Sequence, residues 1–353
     1  MNEEQRPPGS ALRTLAGLAA VVAIVAGLRL GAPILVPFAL ACFLAVLSQP
    51  LFQGLLRRRV PVPLAIGVTV VVLLAGVALF WLLLIGSLAE LREVAPSYAK
   101  TLGERISFTD QWWRDKGISL RDWIPARWRQ PDRVAELAGG ALRATAIFLS
   151  STTVVFLLLV FVLAESAVFP RKLERLPPGV RSTLLRFAHV SRELQRYLLV
   201  KTAMSAAIGI AAGSWMAFLH VDFAVLCGLI AFACHFVPNV GAVLAAGPAM
   251  LIAFLQQDFS ESLMVMAGYL VIGVVLGNLI EPALLGRSLG LSPLVVFLSL
   301  VVWGWLWGAI GMLLSVPLTM ALRIVLGGSK EWAWIAALLD AAPRRVPGGE
   351  EPA

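Results

Sequence analysis

Charge is scarce in this chain. Lysine, arginine, aspartate and glutamate make up 14% of its 353 residues, against roughly 25% in a soluble domain. Hydrophobic residues make up 59%, and the mean hydropathy is +0.85. A water-soluble fold cannot hide that much apolar surface, so the bilayer must act as most of the solvent. Cysteine is also scarce. Cys42, Cys227 and Cys234 all fall in apolar stretches, which excludes a disulfide framework. Cys227, Cys234 and His235 lack the spacing of a ligand set, so no metal is expected. Nothing matches G-x-x-x-x-G-K-[ST], H-E-x-x-H or G-x-S-x-G, so no ATP site, no catalytic residues and no cofactor are expected. There is no long-period repeat and no low-complexity segment. The N-terminal stretch lacks a small-residue cleavage site, so its first apolar run reads as a retained helix.

Apolar runs fill most of the remainder, near 11–30, 33–56, 61–88, 143–164, 202–219, 221–237, 240–255, 262–284, 292–306 and 308–326. A helical span needs about 20 residues. The first five runs and 262–284 reach that length, whereas 221–237, 240–255 and 292–306 fall short and meet at Pro/Gly-rich or Trp/Gly-rich turns. The expected organisation is N-terminal membrane helices over 1–88, an extracytoplasmic insert over 89–142, and a membrane helix over 143–170. A cytoplasmic amphipathic helix over 171–201, a transport core over 202–327 and a cytoplasmic tail over 328–353 follow.

The formal charge is +8, and its placement decides what it means. Arg57, Arg58 and Arg59, the basic stretch 171–201, and Arg287, Arg323, Arg344 and Arg345 all fall on one side of the apolar runs. The positive-inside rule then puts both termini in the cytoplasm of a bacterial inner membrane, and no nucleic-acid partner is implied. The insert carries nine Lys/Arg between Arg92 and Arg133, but long segments translocate largely regardless of charge. Its tryptophans Trp112, Trp113, Trp123 and Trp128 suit a membrane-proximal helical cap. In 180–201, Val180, Leu184, Phe187, Leu194 and Leu198 share one helical face, with Arg181, Arg186, Arg192 and Arg196 on the other. Such a helix lies on a membrane surface with its cations toward anionic lipid.

Two stretches stand out. In 235–256, Pro238 donates no backbone hydrogen bond and Gly241 permits unusual backbone, so the chain breaks around Pro238-Asn239-Val240-Gly241. Either this is a broken membrane helix, whose open backbone groups face substrate, or it is a surface turn between short helices. In 277–293, Asn278 and Glu281 are three apart and share a helical face, with Pro282 beside them. A carboxylate at bilayer depth costs about 2.5–3.5 kcal/mol on insertion scales, which marks Glu281 as a functional candidate if it is deep. At a helix end it would cap, or pair with Arg287. Gly304, Gly308, Gly311 and Pro317 in 292–326 allow either close helix packing or a re-entrant hairpin opposed to 221–255. If it is a hairpin, the three elements are expected to converge on one polar pocket.

At these residues the sequence resembles the autoinducer-2 exporter family, also called PerM-like permeases. The resemblance rests on P-N-V-G at 238–241, Gly247-Pro248, Asn278 with Pro282 and Gly286, and L-G-L-S-P at 289–293. Gly308 and Pro317 in a G-x-x-G-x-x-x-x-x-P pattern, and Arg192-Glu193 with Tyr197-Leu198, complete it. Asn239, where an aromatic is common, and Ser292, where histidine is common, depart from the pattern. The resemblance implies an all-α integral membrane protein of about eight membrane-embedded helical units with two broken or re-entrant hairpins and a small helical insert. It implies a homo-oligomer, with a pentamer as the candidate state, that exports a small polar metabolite such as the signalling furanone. Some relatives are sodium/proton antiporters, which would give Glu281 a proton or cation to carry. Pro238, Asn239, Gly241, Asn278, Glu281, Pro282, Gly308 and Pro317 are the expected substrate or ion pathway. A non-transporting membrane scaffold is the reading from another class.

Overall fold

The computed structural model describes residues 9–114, 132–174, 177–238, 240–257, 259–285, 291–328 and 333–339. Helix α1 is Gly9–Leu30, α2 Ala32–Arg57, α3 Val62–Arg114, α4 Asp132–Glu174, α5 Pro178–Phe218, α6 Ala224–His235, α7 Gly241–Gln256 and α8 Phe259–Ile272. A π-helical segment Gly273–Ile280 leads into α9, Glu281–Leu285, and α10, Pro293–Gly327, precedes α11, Ala333–Leu339. Among the described residues, six helical stretches are long and apolar enough to cross a membrane. Within Val62–Tyr98 an 18-residue window has mean hydropathy 2.9, yet only 6% of that window is buried within the protein. Its apolar side chains therefore face outward, as they can only in lipid, and the chain is a multi-pass all-α membrane protein.

The chain divides into two compact units, 45–289 and the remainder. In the larger, α3 and α4 pack along each other, and α3 continues without interruption through the boundary expected at 88/89. Likewise α5 passes unbroken through 201/202, so the basic surface helix and the membrane helix expected after it are one rod. The side chains at 180–191, which carry most of the amphipathic pattern, and those of the four insert tryptophans lie outside the described residues.

Around α5 the packing is close because side chains are missing. Gly209 and Gly213 of α5 meet Gly228 of α6 backbone to backbone, where a methyl group at Gly228 would come within 2.7 Å of the Gly209 carbonyl. Small residues at such crossings let membrane helices gain dispersion contact that no hydrophobic effect supplies in lipid. On the other flank, Gly268 of α8 leaves room for the Trp215 indole of α5, which donates to the Met264 carbonyl at 3.2 Å. Helices α6 and α7 form a hairpin whose open end is laced together. Gln256 donates to the His220 carbonyl and accepts from the Asp222 backbone N–H, while Tyr98 of α3 donates to the Asp222 carboxylate at 2.7 Å.

In the other unit, α10 is itself a hairpin. Gly308 has φ +64 and ψ −145, outside helical geometry, and the chain doubles back there. Trp303 donates to Thr319 at 3.1 Å across the two arms, a separation of 16 residues that a straight helix would hold about 24 Å apart. Gly311 sits against the Trp303 carbonyl, with no room for a side chain. Helix α1 lies along the hairpin tip: Trp307 donates to the Leu28 carbonyl at 3.0 Å, and the Arg29 guanidinium stands 5.1 Å above the Trp305 ring.

Candidate functional site

Where α6 meets α7 the backbone has no choice but to break. Pro238 lacks an N–H, and Gly241 packs against the Cys234 carbonyl so closely that no Cβ fits. The turn is held by Val237 N–H to the Cys234 carbonyl and Gly241 N–H to the Val237 carbonyl. Its effect is to leave His235 on the last turn of α6, at the carbonyl-rich end of a helix, where the dipole favours a cation nearby.

The cation is Lys201 of α5. Its Nζ lies 2.8 Å from Glu281 Oε1, and His235 Nε2 lies 2.7 Å from Glu281 Oε2 and 3.4 Å from Lys201 Nζ. The Lys201 and Glu281 side chains are 8% and 10% exposed. Each end of the carboxylate is thus engaged, one by an ammonium and one by an imidazole, as burial of an ion pair requires. With the imidazole neutral the cluster is electrically balanced; with it protonated the cluster carries one positive charge.

A cavity of about 420 Å³ opens onto this cluster, lined by Lys201, His235, Pro238, Gly241, Asn278 and Glu281. The buried Tyr269 hydroxyl also lines it and has no hydrogen-bond partner within the described protein. Asn278 lies in the π-helical segment. Such segments shift the register of a helix and recur at functional sites, and here Gly273 and Gly277 of the segment form part of the wall. The cavity therefore offers a fixed amide, a hydroxyl free to donate or accept, and a titratable ion cluster on otherwise apolar walls, the mixture typical of a small-molecule site.

Of the residues expected from sequence, Pro238, Gly241, Asn278 and Glu281 meet at this cavity. Pro282 follows Glu281 but is exposed and does not line it. Asn239 and Arg287 lie outside the described residues. Gly308 and Pro317 belong to the α10 hairpin of the other unit, the first at its reversal and the second buried in its returning arm. Lys201, His235 and Tyr269 are additions. Lys201 stands as a lone charge where α5 turns apolar, and a cation at that depth requires an anion to neutralise it. Only the unbroken course of α5 through 201/202 reveals that depth, so the local sequence carried no such signal.

Among known proteins, a sequence model of the AI-2E family of transporters matches residues 18–329. The chain is similar to the AI-2 transport protein TqsA of Escherichia coli, with 36% identity covering 93% of this chain and 96% of the relative. The presumed transport protein YhhT of the same species is 31% identical over 98% of this chain and all of the relative. A presumed transport protein of Haemophilus influenzae is 36% identical over 93% of this chain.

Proposed function

The chain belongs to the AI-2E family of transporters, and on that premise we propose that it is a secondary exporter of a small polar solute in a bacterial inner membrane, with the cavity at Glu281 as its binding and coupling site. The observation that carries this reading is the buried Lys201–Glu281–His235 cluster beside an open cavity, because charged groups at membrane depth are expensive and mark ion or substrate paths. The name of the Escherichia coli relative makes autoinducer-2 the first solute to test. The titratable cluster favours proton or cation coupling, which keeps sodium/proton exchange as the second reading.

With both termini cytoplasmic, α5 rises outward and α6 and α7 dip back in from the outer side. At 12 and 16 residues they reach about 18 and 24 Å, short of the roughly 30 Å hydrocarbon core. Their tip, with His235 and Pro238, then stops within the bilayer at the level of Lys201 and Glu281. Such a re-entrant tip at a polar pocket is a device of secondary transporters, in which the pocket is exposed to each face in turn. A homo-oligomer, with the pentamer as candidate state, would hold one such pocket per protomer.

Counterflow of labelled solute in proteoliposomes tests the reading. Exchange of autoinducer-2, or of sodium for protons, that is lost in Glu281→Gln is the expected result. Absence of any flux for metabolites and cations alike would remove transport through this cavity. Cysteine labelling of 89–142 from outside and of 171–201 from inside checks the orientation, and labelling of both from one side would reverse it.

A further inference from the structure

A second cavity, of about 480 Å³, opens between the C-terminal end of α2 and the first membrane turns of α5. Its lining includes three arginines, Arg57 from α2 and Arg192 and Arg196 from successive turns of α5, together with the amides of Gln53 and Gln195 and the apolar side chain of Leu199. Among the described residues no carboxylate lines it, and none of the three guanidiniums is paired with an acid. Three like charges from two helices facing one cleft repel unless an anion joins them, and guanidinium forks match the oxygens of a phosphate in a bidentate way. The level of the cleft is set by α2, an apolar helix of 26 residues that ends at Arg57, so the arginines stand where headgroups lie.

We infer that this cleft is a binding site for the phosphodiester headgroup of an anionic phospholipid, held by Arg57, Arg192 and Arg196. A lipid fits better than a soluble anion because the cleft continues into apolar, outward-facing side chains. Leu199 lines the cleft and is 37% exposed, which gives acyl chains an apolar surface below the charged rim. One of the three arginines also reaches the site at Glu281: Arg196 donates to the Leu284 carbonyl of α9 at 3.0 Å. The same helix α5 therefore holds α9 twice, through Arg196 at its C-terminal carbonyl and through Lys201 at Glu281. Headgroup binding at Arg196 bears directly on the first of those holds.

The test is the association of spin-labelled phosphatidylglycerol and phosphatidylcholine with the full-length protein in phosphatidylcholine vesicles. The unaltered protein should select the anionic lipid, and Arg57→Gln with Arg192→Gln should lower its relative association by about tenfold, since each basic group near a membrane surface contributes severalfold. Arg58→Gln with Arg59→Gln, which removes equal charge outside the cleft, should keep the selectivity. Equal association of the two lipids with the unaltered protein overturns the site, and so does an equal loss in both double variants. Displacement of the labelled lipid by inorganic phosphate, but not by chloride of the same ionic strength, would make it a soluble-anion site instead. If the cleft double variant does not fold, Arg192→Gln alone carries the same criteria.

Discussion

Lys201 and Glu281 are eighty residues apart in sequence and 2.8 Å apart in space, joining α5 to the start of α9 inside the apolar body of the protein. A buried ion pair of this kind contributes little net stability over an apolar pair of similar size, but removing one partner strands the other.

Glu281→Gln and Lys201→Met should therefore each destabilise the protein, by about 3–5 kcal/mol where the remaining charge stays unpaired. The double change Lys201→Met with Glu281→Leu should recover most of that stability while remaining inactive in transport. Thermal melting in detergent and solute counterflow measure the two properties separately. A double variant that still transports would show the pair to be a structural tie.

His235 touches both other members of the cluster, Lys201 from α5 and Glu281 from α9, and shares the cavity wall with Tyr269 of α8. His235→Leu, which keeps bulk but offers no hydrogen bond, should lower solute counterflow about tenfold, and His235→Gln, which keeps a hydrogen-bonding side chain, should retain more of it. Equal counterflow by His235→Leu and the unaltered protein would remove His235 from the site.

Gly228→Ala places a methyl group against the Gly209 carbonyl at 2.7 Å, backbone that cannot swing aside as a side chain would. Spreading α5 from α6 should cost about 1–3 kcal/mol, in line with overpacking elsewhere. Gly76→Ala, with open space around its Cβ, is the matched control, and equal melting temperatures for the two would refute close packing at the crossing.

Gly308→Ala should cost about 1–3 kcal/mol because φ +64 with ψ −145 lies in a region that essentially only glycine occupies. The accompanying sign is loss of the Trp303–Thr319 contact, visible as a red shift and quenching change in tryptophan fluorescence when Thr319→Val serves as reference. A Gly308→Ala protein as stable as the parent would mean that the reversal tolerates a side chain.

The hairpin at 238–241 and the Asn278–Glu281 pair were legible in the sequence because proline, glycine and an intramembrane carboxylate each restrict the backbone or the solvent in a local way. The partners of Glu281 were not. Lys201 ends a basic amphipathic stretch, so by local pattern it reads as the last cation of a surface helix. Only the continuity of α5 carries it into the protein. His235 reads as the neighbour of two cysteines, and its role depends on α6 meeting α9, a contact between segments 46 residues apart. The π-helical segment has no sequence signature beyond Gly273 and Gly277, since its apolar periodicity is masked where nearly every residue is apolar.

The unbroken course of α5 also has a mechanical consequence. Its 41 residues make a stiff rod about 60 Å long, bearing arginines near one end, Lys201 partway along and Trp215 near the other. A tilt of about 8° around a fulcrum at Arg192, near the membrane surface, would carry the far end, about 39 Å away, sideways by about 5 Å, close to one helical turn. Small forces on the basic end are thereby amplified into displacements large enough to reseat Trp215 against Gly268, so the helix works as a lever whose short arm sits among the headgroups.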